Sequence, residues 1–307
     1  MSRIGFVRPA QVGEKRVALL PEHLPKCHAE VKIEFSYGAA LGIPDADYAA
    51  AGAELASRQE VFQSCDYIYS LKVVGPSDYP LLRDRQTIIG WVHPETHGRE
   101  FFETVAQEKQ LAIVDLDNRS PSLFYKKKKV LLSSIRTGFL DLNSKNAGFA
   151  SVSHAFIALG RLPRDANRAA VLAAGAVSQG ALTYLHMMGI RADLYTRSNI
   201  DRFLEQIPAY DLIVSGIDSD KTVMSREDVA RLPKGSLVVD AAANVGGAIE
   251  GIRFTSLESP IYEENGAYFY CVPNSPNLFF RSASVDLSKA LSDSVYPQDP
   301  RAWFDLL

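Results

Sequence analysis

Short apolar runs rich in Val, Ile, Tyr and Phe recur along the chain with helical stretches between many of them, and they fall into two series. The first holds "RIGFV", "VKIEFSYG", "DYIYSLK", "TIIGWVH" and "LAIVDLD"; the second, after residue 165, holds "AAVLAAG", "RADLYTR", "DLIVSGI", "SLVVDAA" and "YFYCVPN". Strands alternating with helices require crossover connections, so each series implies a parallel sheet with helices on its faces. Between the series, "NSKNAGFASVSHAFIALG" reads as a capped helix starting near Asn143 or Ser144 that carries the chain across. Near the end, "SASVDLSKALSDSV" reads as a helix returning to the first domain. The expected fold class is therefore α/β: two Rossmann-like domains with parallel sheets separated by a cleft, the first domain discontinuous. Residues 1–143 plus 275–307 would form a substrate (catalytic) domain, and 144–274 a Rossmann dinucleotide-binding domain.

Composition narrows the partners. With 47% apolar and 22% charged residues the chain reads as an ordinary globular protein, and a formal charge of −3 gives no general pull toward nucleic acid. "KKKK" at 126–129 is a local exception, expected to be a solvated loop. The first residues lack the apolar core of a signal peptide, and no window approaches the roughly 20 apolar residues of a membrane span, so no membrane association and a cytoplasmic location are expected. Cys27, Cys65 and Cys271 are scattered without paired metal spacing, so neither a disulfide framework nor a metal site is indicated.

The stretch "VLAAGAVSQG" at 171–180 is the first candidate for chemistry. In a dinucleotide fingerprint one glycine makes the turn, a second lets backbone approach the pyrophosphate, and a third permits close helix packing. Here those positions hold Ala173, Gly175 and Ser178, with Ala176 and Val177 opening the helix. Alanine at the turn suits a negative φ, because a positive φ penalises a Cβ. Alone, the motif is equally a plain strand-to-helix turn. Its context is richer: the next strand ends at Thr196, Arg197 and Ser198, where an acid would hold the ribose hydroxyls of NAD. A cation flanked by hydroxyls suits a 2′-phosphate and favours NADP, against the plainer reading of an exposed arginine. Ser215 and Gly216, closing "DLIVSGI", join the candidate cofactor-side set.

Ligands bind outside the carboxyl ends of strands in open α/β sheets. Lys72 closes one run and His93 another, and Arg16 lies in the loop after the first strand. Arg and Lys can hold a carboxylate and polarise a carbonyl, and His exchanges protons near neutral pH. With a nicotinamide site, they describe redox chemistry at the carbon of an amino acid or a 2-oxo acid.

Over nearly the whole chain "GEKRVALLP", "LKVVGPSDYPLLRDRQTIIGWVHP", "LVVDAAANVGGAIEG" and "SLESPIYEENGAYFYCVPNSPNL" resemble, in order, the N5-(carboxyethyl)ornithine synthases, a branch of the alanine dehydrogenase and pyridine nucleotide transhydrogenase superfamily. The resemblance implies an NADPH-dependent oxidoreductase that joins a 2-oxo acid such as pyruvate to the side-chain amine of ornithine or a related diamino acid. It also implies a homo-oligomer. It carries substrate binding to Arg16 and Lys72, acid/base work to His93, and cofactor contacts to Gly175, Arg197 and Asn274. In two respects the chain departs from the pattern: Ala173 replaces the fingerprint's first glycine, and where the family's "DxAxD" places a second acid, "DAAAN" keeps Asp240 and has Asn244, which cannot balance an imidazolium by charge. Two alternatives follow, an alanine dehydrogenase-like enzyme using ammonia and a non-catalytic homologue that binds a nucleotide or amino acid.

Overall fold

The computed structural model describes residues 3–117, 120–163 and 168–307. The chain divides into two compact units, Met1–Leu140 with Phe280–Leu307, and Asp141–Phe279.

The first unit is built on an eight-stranded sheet: β1 (Arg3–Val7), β2 (Glu30–Glu34), β3 (Glu54–Ala56), β4 (Tyr67–Lys72), β5 (Thr87–Trp91), β6 (Ala112–Asp115), β7 (Ser122–Tyr125) and β8 (Lys128–Leu131). The order is β3-β2-β1-β4-β5-β6-β7-β8, parallel through β6 and antiparallel in the last two. Central strands such as β5 are buried along their whole length, which explains why "TIIGW" is a continuous apolar run and not an alternating one. Successive residues still serve opposite faces: Ile4 and Phe6 join one core and Val7 the other. The helix Arg58–Ser64 opens on a capping box between Ser57 and Glu60. It packs so close to β1 that a Cβ on Gly5 would stand 2.4 Å from Val61 Cγ1.

The second unit holds β9 (Ala169–Leu172), β10 (Ala192–Tyr195), β11 (Leu212–Ser215), β12 (Leu237–Asp240), β13 (Ile261–Glu264) and β14 (Ala267–Tyr270), in the order β10-β9-β11-β12-β14-β13. All pairs are parallel except β13 with β14. Apolar clusters cover both faces of this sheet. The helices Gly138–Leu159 and Ala176–Met187 touch at two glycines: a Cβ at Gly148 would stand 1.8 Å from the Val177 carbonyl oxygen, and one at Gly180 would stand 1.9 Å from that of Lys145.

Three details differ from the sequence reading. The helix expected near Asn143 begins at Gly138, because Phe139 is buried in the first unit's core and brings a further turn into order. The lysine run is not a loop: Lys126 and Lys127 form a turn and Lys128 and Lys129 begin the edge strand β8. Exposed lysines on a sheet edge discourage pairing with another chain. The short strands β3, β7 and β13 were not expected, being brief and lying at or next to sheet edges. Among the described residues no helix is long and apolar enough to cross a membrane.

Candidate active site

In the first unit the sheet order reverses between β1 and β4, and Arg16, Lys72 and His93 all follow or close strands around that reversal. Lys72 owes its placement to a β-bulge. Ser70 pairs with Gly90, yet Lys72 pairs with Trp91, so Leu71 is an extra residue in β4. Gly90 makes this possible with φ 155°; a Cβ there would stand 1.7 Å from the Ser70 carbonyl oxygen. The bulge sets the Lys72 ammonium 4.9 Å from the centre of the Trp91 ring, while the Arg16 guanidinium lies 5.3 Å from that same ring. Burial, then the neighbouring Arg16, lower the pKa of Lys72 against the pull of Asp117 and Glu14.

Arg16 is held more firmly than its sequence context suggested. Its side chain and that of Glu14 are both 0% exposed, with Nε donating to Glu14 Oε1 at 2.8 Å and Nη2 to Oε2 at 2.6 Å. The following backbone belongs to no helix or sheet, so side chains satisfy its polar groups. Ser284 Oγ and Tyr37 Oη accept from the amides of Val17 and Ala18, both at 3.0 Å, and Ser288 Oγ accepts from that of Leu20 at 2.7 Å. Tyr296 and Tyr48 donate to the carbonyls of Ala18 and Leu19. The helix Phe280–Ser294, far away in sequence, thereby fixes the segment that carries Arg16.

His93 adopts the left-handed conformation, φ 52°, a backbone cost of order 1 kcal/mol for a non-glycine residue. Asp115 holds it there. This buried carboxylate accepts from the amides of Val92 (3.1 Å), His93 (3.2 Å) and Asp117 (3.4 Å), and burial raises its own pKa. Two residues on, Asp117 Oδ2 meets His93 Nε2 at 2.9 Å. That hydrogen bond is the main cause of a raised His93 pKa, opposed by desolvation. Sequence reasoning missed Glu14, Asp115 and Asp117. The signal for the last two was present in "VDLD", two acids alternating at the end of the strand beside β5.

The second unit supplies the other candidate set. The amide of Ala173 donates to the Tyr195 carbonyl at 2.7 Å, so the turn after β9 adjoins the end of β10. Ala173 has φ 75°, not the negative φ its Cβ favours: the tight turn has kept its geometry after losing its glycine. Ser178, buried in the helix, donates to the Leu172 carbonyl at 2.8 Å. Gly216, after Ser215 at the end of β11, is needed for packing, since a Cβ there would stand 2.2 Å from Ser178 Oγ. Gly175 is different. It takes φ −70°, open to any residue, and a Cβ on it would meet nothing within 4 Å. No internal contact accounts for its missing side chain, and it sits where Ala176 and Val177 open the helix with backbone N–H groups lacking intrahelical partners. Such a cradle fits a pyrophosphate.

Thr196, Arg197 and Ser198 follow β10 directly. Thr196 and Ser198 bond to one another at 2.9 Å, Asn199 Oδ1 accepts from the Thr196 amide at 2.6 Å, and Arg197 is exposed. Asn274, with φ 60°, lies in the loop after β14. Asp240 closes β12 fully buried, its carboxylate accepting from the amides of Ala242 and Asn244, and burial pushes it up to about 6. Asn244 donates to the Ser219 carbonyl at 3.2 Å and Asp218 at 3.4 Å, so its amide serves its own loop. Among the described residues no group of acids, histidines and cysteines could hold a metal.

A parallel-stranded unit whose first strand leads through Gly175 into an open helix N-terminus, and another carrying a Lys and a His–Asp pair at its carboxyl edge, match the layout of a dinucleotide-dependent α/β oxidoreductase. The chain belongs to the alanine dehydrogenase/PNT family: residues 6–118 match the model of the N-terminal domain of "Alanine dehydrogenase/PNT" and residues 165–299 that of its C-terminal domain. A nicotinamide dinucleotide is accordingly its cofactor. It is 41% identical to the N(5)-(carboxyethyl)ornithine synthase of Clostridium botulinum, over 99% of this chain and 97% of that protein. It is 39% identical to the synthase of the same name from Lactococcus lactis subsp. lactis, over 97% of each. Among solved structures, an L-alanine dehydrogenase shares the fold with a TM-score of 0.80 at 22% identity, over 96% of this chain and 89% of that one.

Proposed function

We propose that the protein is an N5-(carboxyethyl)ornithine synthase that uses NADPH to condense pyruvate reductively with the side-chain amine of ornithine. The observation that carries this reading is the His93–Asp117 pair beside Lys72, in a chain 41% identical to a synthase of that name. The 2-oxo acid is held with its oxo group toward Lys72, whose positive charge polarises the carbonyl. Arg16, fixed by Glu14, adds positive charge toward the carboxylate. The neutral side-chain amine of ornithine attacks the carbonyl carbon, and the carbinolamine that forms must lose its hydroxyl as water to give the imine. His93 donates the proton for that departure, and the hydrogen bond to Asp117 favours the protonated imidazole. NADPH, when bound, supplies the hydride that the imine carbon accepts.

On the cofactor side, Gly175, Ala176 and Val177 present backbone to the pyrophosphate, Arg197 with Thr196 and Ser198 receives the 2′-phosphate, and Ala173, Ser215, Gly216 and Asn274 border the dinucleotide. Two features weigh against a non-catalytic homologue: Ala173 retains the turn's positive φ, and Asp117 provides the charge that Asn244 lacks. The same proposal makes the protein a cytoplasmic homo-oligomer acting on small molecules.

The test is NADPH oxidation by purified protein with pyruvate and ornithine, lysine or ammonia, with the product identified by mass. N5-(carboxyethyl)ornithine formation, abolished by His93→Ala, is expected. Turnover with ammonia alone would place the chain with the alanine dehydrogenases instead.

A further inference from the structure

The reaction proposed above joins two molecules that each carry a carboxylate, and the seat beside Lys72 accounts for only one of them. The first unit holds a concavity of about 500 Å³, bordered by Arg8, Glu14, Arg16, Glu34, Ser36 and Arg58. It lies outside the carboxyl ends of β1 and β2, and it is continuous with the loop that carries Arg16.

Arg8, Glu34 and Arg58 form one side of its wall, with the buried Asp78 behind Arg58. Arg8 donates from Nε and Nη2 to Glu34 Oε1 at 3.0 and 2.6 Å, and from its amide to Oε2 at 2.8 Å. Arg58 donates from Nη1 to Glu34 Oε2 at 2.7 Å and to the Arg8 carbonyl at 2.9 Å, while Asp78 takes its Nε and Nη2 at 2.7 and 2.8 Å. The carboxylates of Glu34 and Asp78 are 2% and 1% exposed, whereas the Arg8 side chain is 53% exposed. Glu34 is saturated by two guanidinium groups and offers nothing to an ammonium. Arg8, pinned along one side, keeps Nη1 without a partner among the described residues. A rigid guanidinium with an unused donor on a cavity wall is suited to a carboxylate, because little conformational freedom is lost when it binds.

We propose that this cavity seats the carboxylate of the amine-donating substrate, with Arg8 as the residue that selects a diamino acid over a simple diamine. The inference rests on the synthase reading. Arg8 and Arg16 both border this cavity, so a carboxylate on the first leaves the rest of the same molecule in the concavity that Arg16 shares.

The experiment compares kcat/KM for ornithine and for 1,4-diaminobutane, with pyruvate saturating, in the wild type and in Arg8→Gln and Arg8→Lys. Loss of a charge-assisted hydrogen bond is worth roughly 1.5–3 kcal/mol, so the ornithine-to-diaminobutane ratio should fall about 10- to 100-fold in Arg8→Gln and partly recover in Arg8→Lys. Both amines are measured on one preparation, so a misfolded fraction leaves the ratio untouched. An unchanged ratio overturns the assignment. If the wild type turns over no amine, the synthase reading itself fails, and calorimetric titration with ornithine decides the subsite separately. Binding to the wild type that is lost in Arg8→Gln upholds it, and any other titration result overturns it.

Discussion

Asp117 Oδ2 stands 2.9 Å from His93 Nε2, and both residues are anchored through their backbone amides to one buried carboxylate, Asp115. The acid that raises the histidine's pKa is thus placed by the same strand end that fixes the histidine. Asp117→Asn should return the His93 pKa toward its ordinary value and move the basic limb of the kcat profile to lower pH, with a smaller loss than the roughly 10²–10⁴-fold expected for His93→Ala. The sign for stability follows from the raised pKa: the pair's contribution is fully present below pH 6.5 and is lost as pH rises through the His93 value. An NMR titration of the imidazole reads this directly, and an unmoved pKa in Asp117→Asn would sink the assignment.

Gly175→Asp should separate folding from cofactor binding. Aspartate at the N-cap favours the helix by about 0.5–1 kcal/mol, and no protein atom obstructs its Cβ. The same carboxylate repels a pyrophosphate. A thermal midpoint unchanged or raised, with dinucleotide affinity lost in a fluorescence titration, is the expected pair of results. Gly216→Ala should instead destabilise, through its clash with Ser178 Oγ.

At the preceding turn, Ala173→Gly should stabilise the protein by about 0.5–1 kcal/mol, since it relieves a Cβ held at positive φ while adding some flexibility to the unfolded chain. Denaturant melts will show the sign. A destabilised variant would mean that the methyl group makes packing contacts worth more than the strain.

Arg197→Ala should weaken NADPH by roughly 10- to 100-fold, the worth of one charge-assisted hydrogen bond, and leave NADH nearly where it was. Equal losses for both cofactors would assign Arg197 to the fold and not to a 2′-phosphate.

Asp240 offers a prediction about pH and stability. Burial raises it from 3.8 to about 6, so its folded form binds the proton more tightly than the unfolded chain does. Stability from this group is therefore greatest below pH 3.8 and declines by roughly 3 kcal/mol as pH rises through 6. Urea midpoints across pH 4–7 should show that decline in the wild type and a flatter course in Asp240→Asn.

The parallel strands were legible because burial on both faces writes them as uninterrupted Val and Ile runs, and the polar residues closing those runs pointed to Lys72 and His93. Edge elements were not, since β3 and β8 have little apolar pattern to read. The anchoring of Arg16 was also beyond the sequence: nothing local says that Ser284, Ser288 and Tyr296 will satisfy the backbone of residues 17–20. Asn244 was noticed as a missing acid, whereas the acid that meets His93 lay unremarked at residue 117. Ala173 was read with the wrong sign of φ, because a local preference of about 1 kcal/mol gives way to a turn fixed by strand and helix together.

The extra residue in β4 has a bearing on how such enzymes diverge. Remove Leu71 and the pairing of Ser70 with Gly90 survives, but Lys72 then meets Trp91 in regular register, without the bulge that sets its ammonium over that ring. A single codon gained or lost there would re-aim the ammonium without altering Lys72, His93 or Asp117. Homologues that share every reactive residue can therefore differ in activity by one bulge, and counting matched residues would not tell them apart.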